Sequence, residues 1–430
     1  MGKKVVILGA GLAGLSVAYH SQNGCSLYEQ ESEVGGLARS AVRNGFIFDY
    51  DGHLLHFKTG YMRRLVERLL PGIFREHERC AWIYSHNSYT KYPFQANTYG
   101  LPAAVIKKCL MGMFRSRMAA RREEEPRDFH EWMLANFGEG ITRCFMQPYN
   151  EKFWNRPARE LTAEWTKEYV PRVNVKQVID GAFTNKTGGI GYNCRFWYPE
   201  KGGIEQLPQA LAAKIKNVNL NTRIRGVDIK NKKVWFENGK ETAFDNLVST
   251  IPLPELGRLL DGRLPARVKT AFSRLKFISI YNINLGIARE NINDKHWIYF
   301  PEKKFSFFRV GFPTNFSANV APQGSSSLYA EVSYSREKPL KKDVETKVLS
   351  GLVEAGILNK EEKIIVRHIN DIKYGYVVYD HDYRHSVDII TGFLRENGIL
   401  CSGRFGRWQY MSMEDAVLDG LAVSEELKLL

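Results

Sequence analysis

The chain has 430 residues, 44% of them hydrophobic and 25% charged, with a formal net charge of +14 at neutral pH. That length suffices for two or three domains around a large core, and the composition is that of a globular protein, not a disordered or fibrous one. No apolar run approaches the ~18 residues of a membrane helix. Cys25, Cys80, Cys109, Cys144, Cys194 and Cys401 are scattered without a C-x-x-C pair, so neither a metal site nor a disulfide framework is indicated. The basic surplus comes without a zinc-finger, RRM or homeodomain pattern, which argues against nucleic acid and leaves an anionic small molecule open.

The chain leads from Met-Gly-Lys-Lys straight into a strand, so no signal peptide is expected. Val6 stands where a myristoylation signal has Ser or Thr, and a cytoplasmic location fits both readings. Val5 to Leu8 is a short apolar β-run, after which Gly9-x-Gly11-x-x-Gly14 opens an apolar helix. The first glycine allows the tight turn, the second the approach of a pyrophosphate, the third helix–strand packing. The helix N-terminus adds free N–H groups and partial positive charge. Glu29 follows Gly9 by 20 residues, where a carboxylate accepts ribose hydroxyls. The continuation Gly35-Gly36-Leu37-Ala38-Arg39-Ser40 resembles glutathione-reductase-like flavoproteins, among them amine oxidases, protoporphyrinogen oxidase and Rab GDP-dissociation inhibitors. The resemblance implies FAD, held by Gly9, Gly11, Leu12, Ala13, Gly14, Glu29, Gln30, Gly35, Gly36, Leu37 and Arg39.

"KYPFQAN" (91–97) is expected to be extended, because proline fixes its own φ and pushes the residue before it toward β. Tyr92 and Phe94 would then share one face, either as half-buried aromatics of an edge strand or as a binding wall. Residues 98–185 read mostly helical, and the basic stretch Lys107–Arg122 reads as a solvated helix end in preference to a membrane-surface helix. Residues 219–252 alternate with turn residues as a small antiparallel sheet does, ending in a central strand at "DNLVSTIP". Residues 266–390 suggest a second antiparallel sheet, "NGILCSGRFGRW" repeats the strand–glycine pattern, and Asp415–Leu430 closes the chain as a helix. The expected fold class is α/β: a Rossmann-type, glutathione-reductase-like FAD domain with a helical insert and an antiparallel substrate sheet. The expected boundaries are 1–85, 202–265 and 395–430 for the FAD domain, 98–190 for the insert, and 86–97, 191–201 and 266–394 for the sheet.

The series "DYDGHLLH", "KYPFQAN", "PYNEKFW", "GYNCRFWYP", "HWIYFPE", "FFRV", "YGYVVYD" and "GRFGRWQY" is collinear over nearly the whole chain. It resembles the UDP-galactopyranose mutases, in particular the eukaryotic type. The resemblance implies that Tyr92, Phe94, Gln95, Asn150 and Trp154 meet uridine, since aromatic faces stack on bases and amides pair with their edges. Arg309, Tyr376 and Tyr410, with Tyr299, would meet the diphosphate; Trp297 and Asn193 would lie at the sugar. Gly52 and His53 would lie against the flavin's reactive edge, with Gly403 and Arg404 on a turn beside it, making His53, Gly52 and Arg404 the catalytic candidates. The implied reaction interconverts pyranose and furanose forms of a UDP-sugar through an adduct of reduced flavin N5 with the anomeric carbon. NAD(P)H is a suitable reductant, and assembly as a homo-oligomer is compatible with the sequence.

Two positions depart from the mutase pattern. Glu414-Asp415 replaces an Asn-Gln pair, and Tyr169 stands where an arginine is expected, with Arg172 as a substitute. Carboxylates beside a diphosphate would repel it unless they turn away or bind sugar hydroxyls. Two other readings share the flavin motifs: an oxidase of the amine or protoporphyrinogen type, and a binding protein of the GDP-dissociation-inhibitor kind. Neither accounts for the "YPFQ" segment.

Overall fold

The structure is a computed structural model that describes residues 3–21, 24–118, 125–185, 189–191, 194–261 and 264–429. At its centre is a five-stranded parallel sheet in the order Ile399–Cys401, Asn246–Ser249, Val5–Leu8, Cys25–Tyr28, Val218–Asn219. A parallel strand is covered on both faces and therefore needs a continuous apolar run. Val6, Ile7, Leu8, Leu247 and Val248 are accordingly buried. The Leu12–His20 helix packs on this sheet and against the closing Met413–Leu429 helix. Gly420 permits that approach, since a Cβ there would stand 2.6 Å from the Ala13 carbonyl oxygen. Next to the parallel sheet lies a four-stranded sheet whose Ile224–Asp228, Lys233–Phe236 and Glu241–Ala243 strands run antiparallel.

A seven-stranded sheet takes up the other half, in the order Ile364–Val377, Phe277–Ile287, Ser326–Tyr334, Arg309–Gly311, Trp297–Tyr299, Ala81–Ser85, Ser88–Lys91. It is antiparallel except where Trp297–Tyr299 pairs parallel with Ala81–Ser85. Between 103 and 183 the described chain is helical. The Ala103–Met118 and Phe129–Ile141 helices meet backbone to backbone through Gly112, Gly138 and Gly140, where a Cβ would lie 2.0 to 2.4 Å from main-chain atoms. Lys107, Lys108, Arg115 and Arg117 are exposed on the first of these helices; residues 119–124 lie outside the described residues. Among the described residues no helix is long and apolar enough to cross a membrane, and all six cysteines are free.

"KYPFQAN" is not one extended strand. The strand stops at Lys91, the Tyr92–Pro93 peptide is cis, and Phe94–Ala96 is a 3-10 turn. Pro93 donates no N–H, but its carbonyl accepts from Ala96 N (3.1 Å) and Asn97 Nδ2 (3.1 Å), which curls the segment. The turn sits on the Val175–Phe183 helix at Gly181, whose carbonyl receives the N–H groups of Thr98 and Tyr99. A Cβ on Gly181 would stand 1.7 Å from the Ala96 carbonyl oxygen. Gly181→Ala is therefore expected to cost about 1–3 kcal/mol by overpacking and to shift the Phe94–Ala96 turn. Urea unfolding of the variant measures the first effect, and changed protease sensitivity near Tyr99 the second.

His296, at the entry to the Trp297–Tyr299 strand, accepts the Cys80 N–H on Nδ1 (3.1 Å) and packs edge-on against His77. Burial pulls its pKa down from 6.5 to about 4. The unfolded chain thus binds this proton first, and the associated stability is full above pH 6.5 and lost as pH falls toward 4. About 2 kcal/mol should be gone by pH 5. Unfolding curves at pH 7.5 and 5 should show a larger loss in the wild type than in His296→Gln.

Candidate functional site

One cavity of about 1130 Å³ runs between the parallel sheet, the helices and the seven-stranded sheet. Single small-molecule sites occupy roughly 300–1,000 Å³, so this one has room for a dinucleotide and a second ligand.

Its first part is the strand–glycine–helix turn. Gly9 has φ +96°, and a Cβ there would lie 2.5 Å from Thr250 Oγ1. A Cβ on Gly14 would lie 2.0 Å from the Gly9 carbonyl, so Gly14 serves packing and does not line the cavity. Gly11 faces the Gly35–Gly36 turn across a narrow gap: a Cβ on Gly36 would meet Gly11 Cα at 3.2 Å. The Glu29 carboxylate accepts from Ala10 N (2.7 Å) and Glu31 N (3.0 Å), which fixes it at the end of its strand. Leu12, Ala13, Gln30, Leu37, Arg39 and Gly403 line the same part. A bare backbone floor, a helix N-terminus and a fixed carboxylate fit the pyrophosphate and ribose of FAD.

Next comes the loop of Gly52 and His53. A Cβ on Gly52 would strike Tyr329 Oη at 2.3 Å, so only glycine passes there. Burial lowers the His53 pKa and keeps the ring neutral, and its Nδ1 is buried without a hydrogen-bond partner. Arg404 lies beside the Tyr376 and Tyr410 rings, 4.5 and 4.7 Å from their centroids; the two rings stack 5.6 Å apart. One Arg404 nitrogen donates to the Gly375 carbonyl (2.8 Å), whereas Nε is buried without a partner.

Arg309 corrects the expectation of a free anion receptor. It lies directly across from Glu331 in the sheet and donates to it through Nε and Nη2, and Asp51 is 3.6 Å away. Glu331 is fully buried, and burial pushes its pKa well up against the pull of Arg309. Deleting Arg309 would strand that carboxylate at a cost of about 3–5 kcal/mol, so the residue is structural as well as cavity-lining.

The far end is aromatic. Tyr92 lines it, with its ring 5.0 Å from that of Tyr299 and 4.8 Å from the Arg79 guanidinium. Gln95 donates Nε2 to the Pro171 carbonyl (2.7 Å) and Asn150 donates Nδ2 to Met146 (2.7 Å). Trp154 and Trp297 line the cavity with indole N–H groups buried and unpartnered. Phe94 is corrected: it is fully buried behind the wall, stacked on Phe145 at 4.9 Å, and does not reach the cavity. Asn193 lies outside the described residues. Phe145, Tyr149 and Phe153 were missed and line the cavity as a stacked series, 5.3 and 6.3 Å apart. Their spacing of four was the available signal, but it reads equally well as a helix core face.

The departing residues also find their places. Glu414 is buried and accepts from Lys58 N, Thr59 N (2.8 Å) and Thr59 Oγ1; Asp415 pairs with Ser412 and with Lys58 Nζ (3.0 Å). Both carboxylates turn onto the 58–59 segment. Tyr169 lines the cavity edge-on to Tyr410 at 4.2 Å. Arg172 does not replace the missing arginine: it lies 5.9 Å over the Trp132 ring, away from the cavity.

Residues 12–427 match the family described as flavin containing amine oxidoreductase. A solved structure of reduced UDP-galactopyranose mutase is similar at 28% identity and a TM-score of 0.95, covering 100% of this chain and 95% of that one. A candidate protoporphyrinogen oxidase from Exiguobacterium sp. 255-15 (14%, TM-score 0.77, 100% and 99% covered) and a putrescine oxidase bound to putrescine (16%, 0.69, 100% of both) share the fold. With nearly its whole length matched, and with the glycine turns and fixed carboxylate in place, this chain belongs to the flavin-containing amine oxidoreductase family.

Proposed function

We propose that the protein is an FAD-dependent mutase interconverting the pyranose and furanose forms of a UDP-sugar. The observation that carries this reading is the continuity of one cavity from the FAD cleft, past His53, to a chamber walled by Tyr92, Gln95, Asn150 and Trp154. The similarity to UDP-galactopyranose mutase across the full chain supports it. An oxidase or a GDP-dissociation-inhibitor-like protein gives no reason for the amides of Gln95 and Asn150 beside Tyr92 in a cavity that Arg404 also lines.

Tyr92 offers a ring face to uracil, while Gln95, with Nε2 held by Pro171, presents its carbonyl oxygen to the base edge. Arg404, Tyr376 and Tyr410 meet the diphosphate, Arg404 supplying a charge that no carboxylate in the described residues balances. Their donors stabilise the negative charge that grows as UDP departs. His53, whose pKa burial lowers and whose Nδ1 is buried without a partner, would face the flavin edge as a neutral hydrogen-bonding group. Reduced FAD, once bound, supplies the nucleophilic electron pair for the anomeric carbon. Trp297 packs at the sugar, and Asn193 is assigned there from its motif.

Three measurements test the reading. Reduced protein should convert UDP-galactopyranose to the furanose while oxidised protein does not; equal turnover by both forms would overturn the mechanism. Gly11→Val should lose most bound FAD, because its side chain fills the gap facing Gly36; retained absorbance near 450 nm would place the pyrophosphate elsewhere. Tyr92→Ala should weaken UDP by about five- to hundredfold, the worth of one base stack at ~1–3 kcal/mol, with FAD content unchanged. Calorimetry on the reduced protein decides.

A further inference from the structure

The Gln147–Phe153 helix brings Tyr149, Asn150 and Phe153 to the cavity, with Trp154 at its end, and it also carries a lysine pointing the other way. Lys152 Nζ donates to the carbonyl oxygens of Phe300 (2.7 Å), Glu302 and Phe307 (3.2 Å). Those carbonyls belong to the loop joining Tyr299 to Arg309, which the Phe300 N to Phe308 O bond closes (2.9 Å). Phe300, Phe305 and Phe307 fill that loop with buried rings, and the Ser306 hydroxyl between them is buried without a partner, so the side-chain donor these three carbonyls have found is Lys152. An ammonium has three donors and matches three acceptors; a neutral amine has two.

Resting on the mutase reading, we propose that Lys152 is a positioning residue for the UDP-sugar site, fastening the helix of Tyr149, Asn150, Phe153 and Trp154 to the segment between Tyr299 and Arg309. Apart from Lys152, the helix and that segment meet through rings: Tyr149 meets Tyr299 edge-on at 5.4 Å and Phe308 at 6.4 Å, and Phe153 meets Phe308 at 5.1 Å. Ring contacts slide at small cost, whereas three directed bonds to main chain set register. Lys152 thereby sets the distance between the wall of Tyr149, Asn150, Phe153 and Trp154 and the cavity-lining Tyr299 and Arg309.

The strut is also sensitive to protonation. Burial draws the Lys152 pKa down to about 7, opposed by Glu302 of the same loop. Of the other charged groups nearby, Arg309 and Glu331 pair with each other, and Glu151 on the same helix accepts from Gln147 and Ala158. Loss of the Lys152 proton removes one of the three bonds and loosens the wall; the Glu302 carbonyl, which also accepts from Phe305 N (3.3 Å), is the one that can give up its lysine donor.

The test is calorimetry of UDP-galactopyranose binding to the full flavoprotein from pH 6 to 8.5, a range in which a diphosphate diester does not titrate. Wild-type affinity should fall as pH rises. Lys152→Met should bind about ten- to a hundredfold more weakly, the cost of a small misplacement, with a flat pH profile, unchanged FAD content and KM raised more than kcat is lowered. Lys152→Arg, charged throughout, should recover part of the affinity and also be flat. Binding by Lys152→Met within twofold of wild type, whatever its melting temperature, would overturn the proposal. Should that variant not fold, a Lys152→Arg profile as steep as the wild type's would do the same. Wild-type protein that binds no UDP-sugar at any pH would overturn the mutase reading and this inference with it.

Discussion

The cofactor cleft depends on the approach of two glycine turns across a gap that holds no side chain. Gly9 to Gly14 and Gly35–Gly36 come together because Gly35 N donates to the Ala10 carbonyl (2.8 Å) and Gly9 N to the Tyr28 carbonyl (2.8 Å). These bonds tie the turn to the second strand and hold Glu29 against Ala10 N. The parallel sheet supplies the rigidity, since its strands are buried on both faces. The cleft is therefore preorganised: the backbone N–H groups and the helix end already point where a pyrophosphate needs them.

The chamber beyond His53 is built on a different principle. Its walls come from segments far apart in the chain, and ring packing holds them more than hydrogen bonding does. The stacked series Phe94, Phe145, Tyr149, Phe153 runs from behind Tyr92 toward Tyr376. Such a wall buries much area at little loss of side-chain freedom, and it leaves indole and amide groups for a polar ligand. The charged floor is balanced internally. Glu331 and Asp51 surround Arg309, and Arg404 is left to face an incoming anion. Because Arg404 Nε is already buried without a partner, little further dehydration of that guanidinium is needed when an anion binds.

Glu414 and Asp415 show how a departure from a family pattern is absorbed. At these positions Glu414 accepts the N–H groups of Lys58 and Thr59 at the start of the Gly60–Leu69 helix, while Asp415 accepts from the Lys58 ammonium and from Ser412. The repulsion that carboxylates would cause beside a diphosphate is removed by aiming Glu414 at the N–H groups of a helix start, where negative charge is favoured, and Asp415 at the Lys58 ammonium. Tyr169, by contrast, stays at the cavity and puts a phenol where an arginine is usual.

The cofactor half was legible in the residues because its determinants are local: Val5–Leu8, three glycines and Glu29 lie within one strand–helix–strand unit, where Gly9 takes a positive φ and Gly14 clears the Gly9 carbonyl. The eight motifs were likewise readable in order, and the structure gathers Tyr92, Gln95, Asn150, Trp154, Trp297 and Arg404 into one cavity. Spacing along the chain could not show which way Phe94 turns, because the 3-10 turn at Pro93 is held by Gly181, some ninety residues on in the chain. Nor could it show that Arg309 is claimed by Glu331, a partner set by the register of two neighbouring strands. Which side chains are free to meet a ligand depends on contacts between distant segments, and those exist only once the sheets and helices have packed.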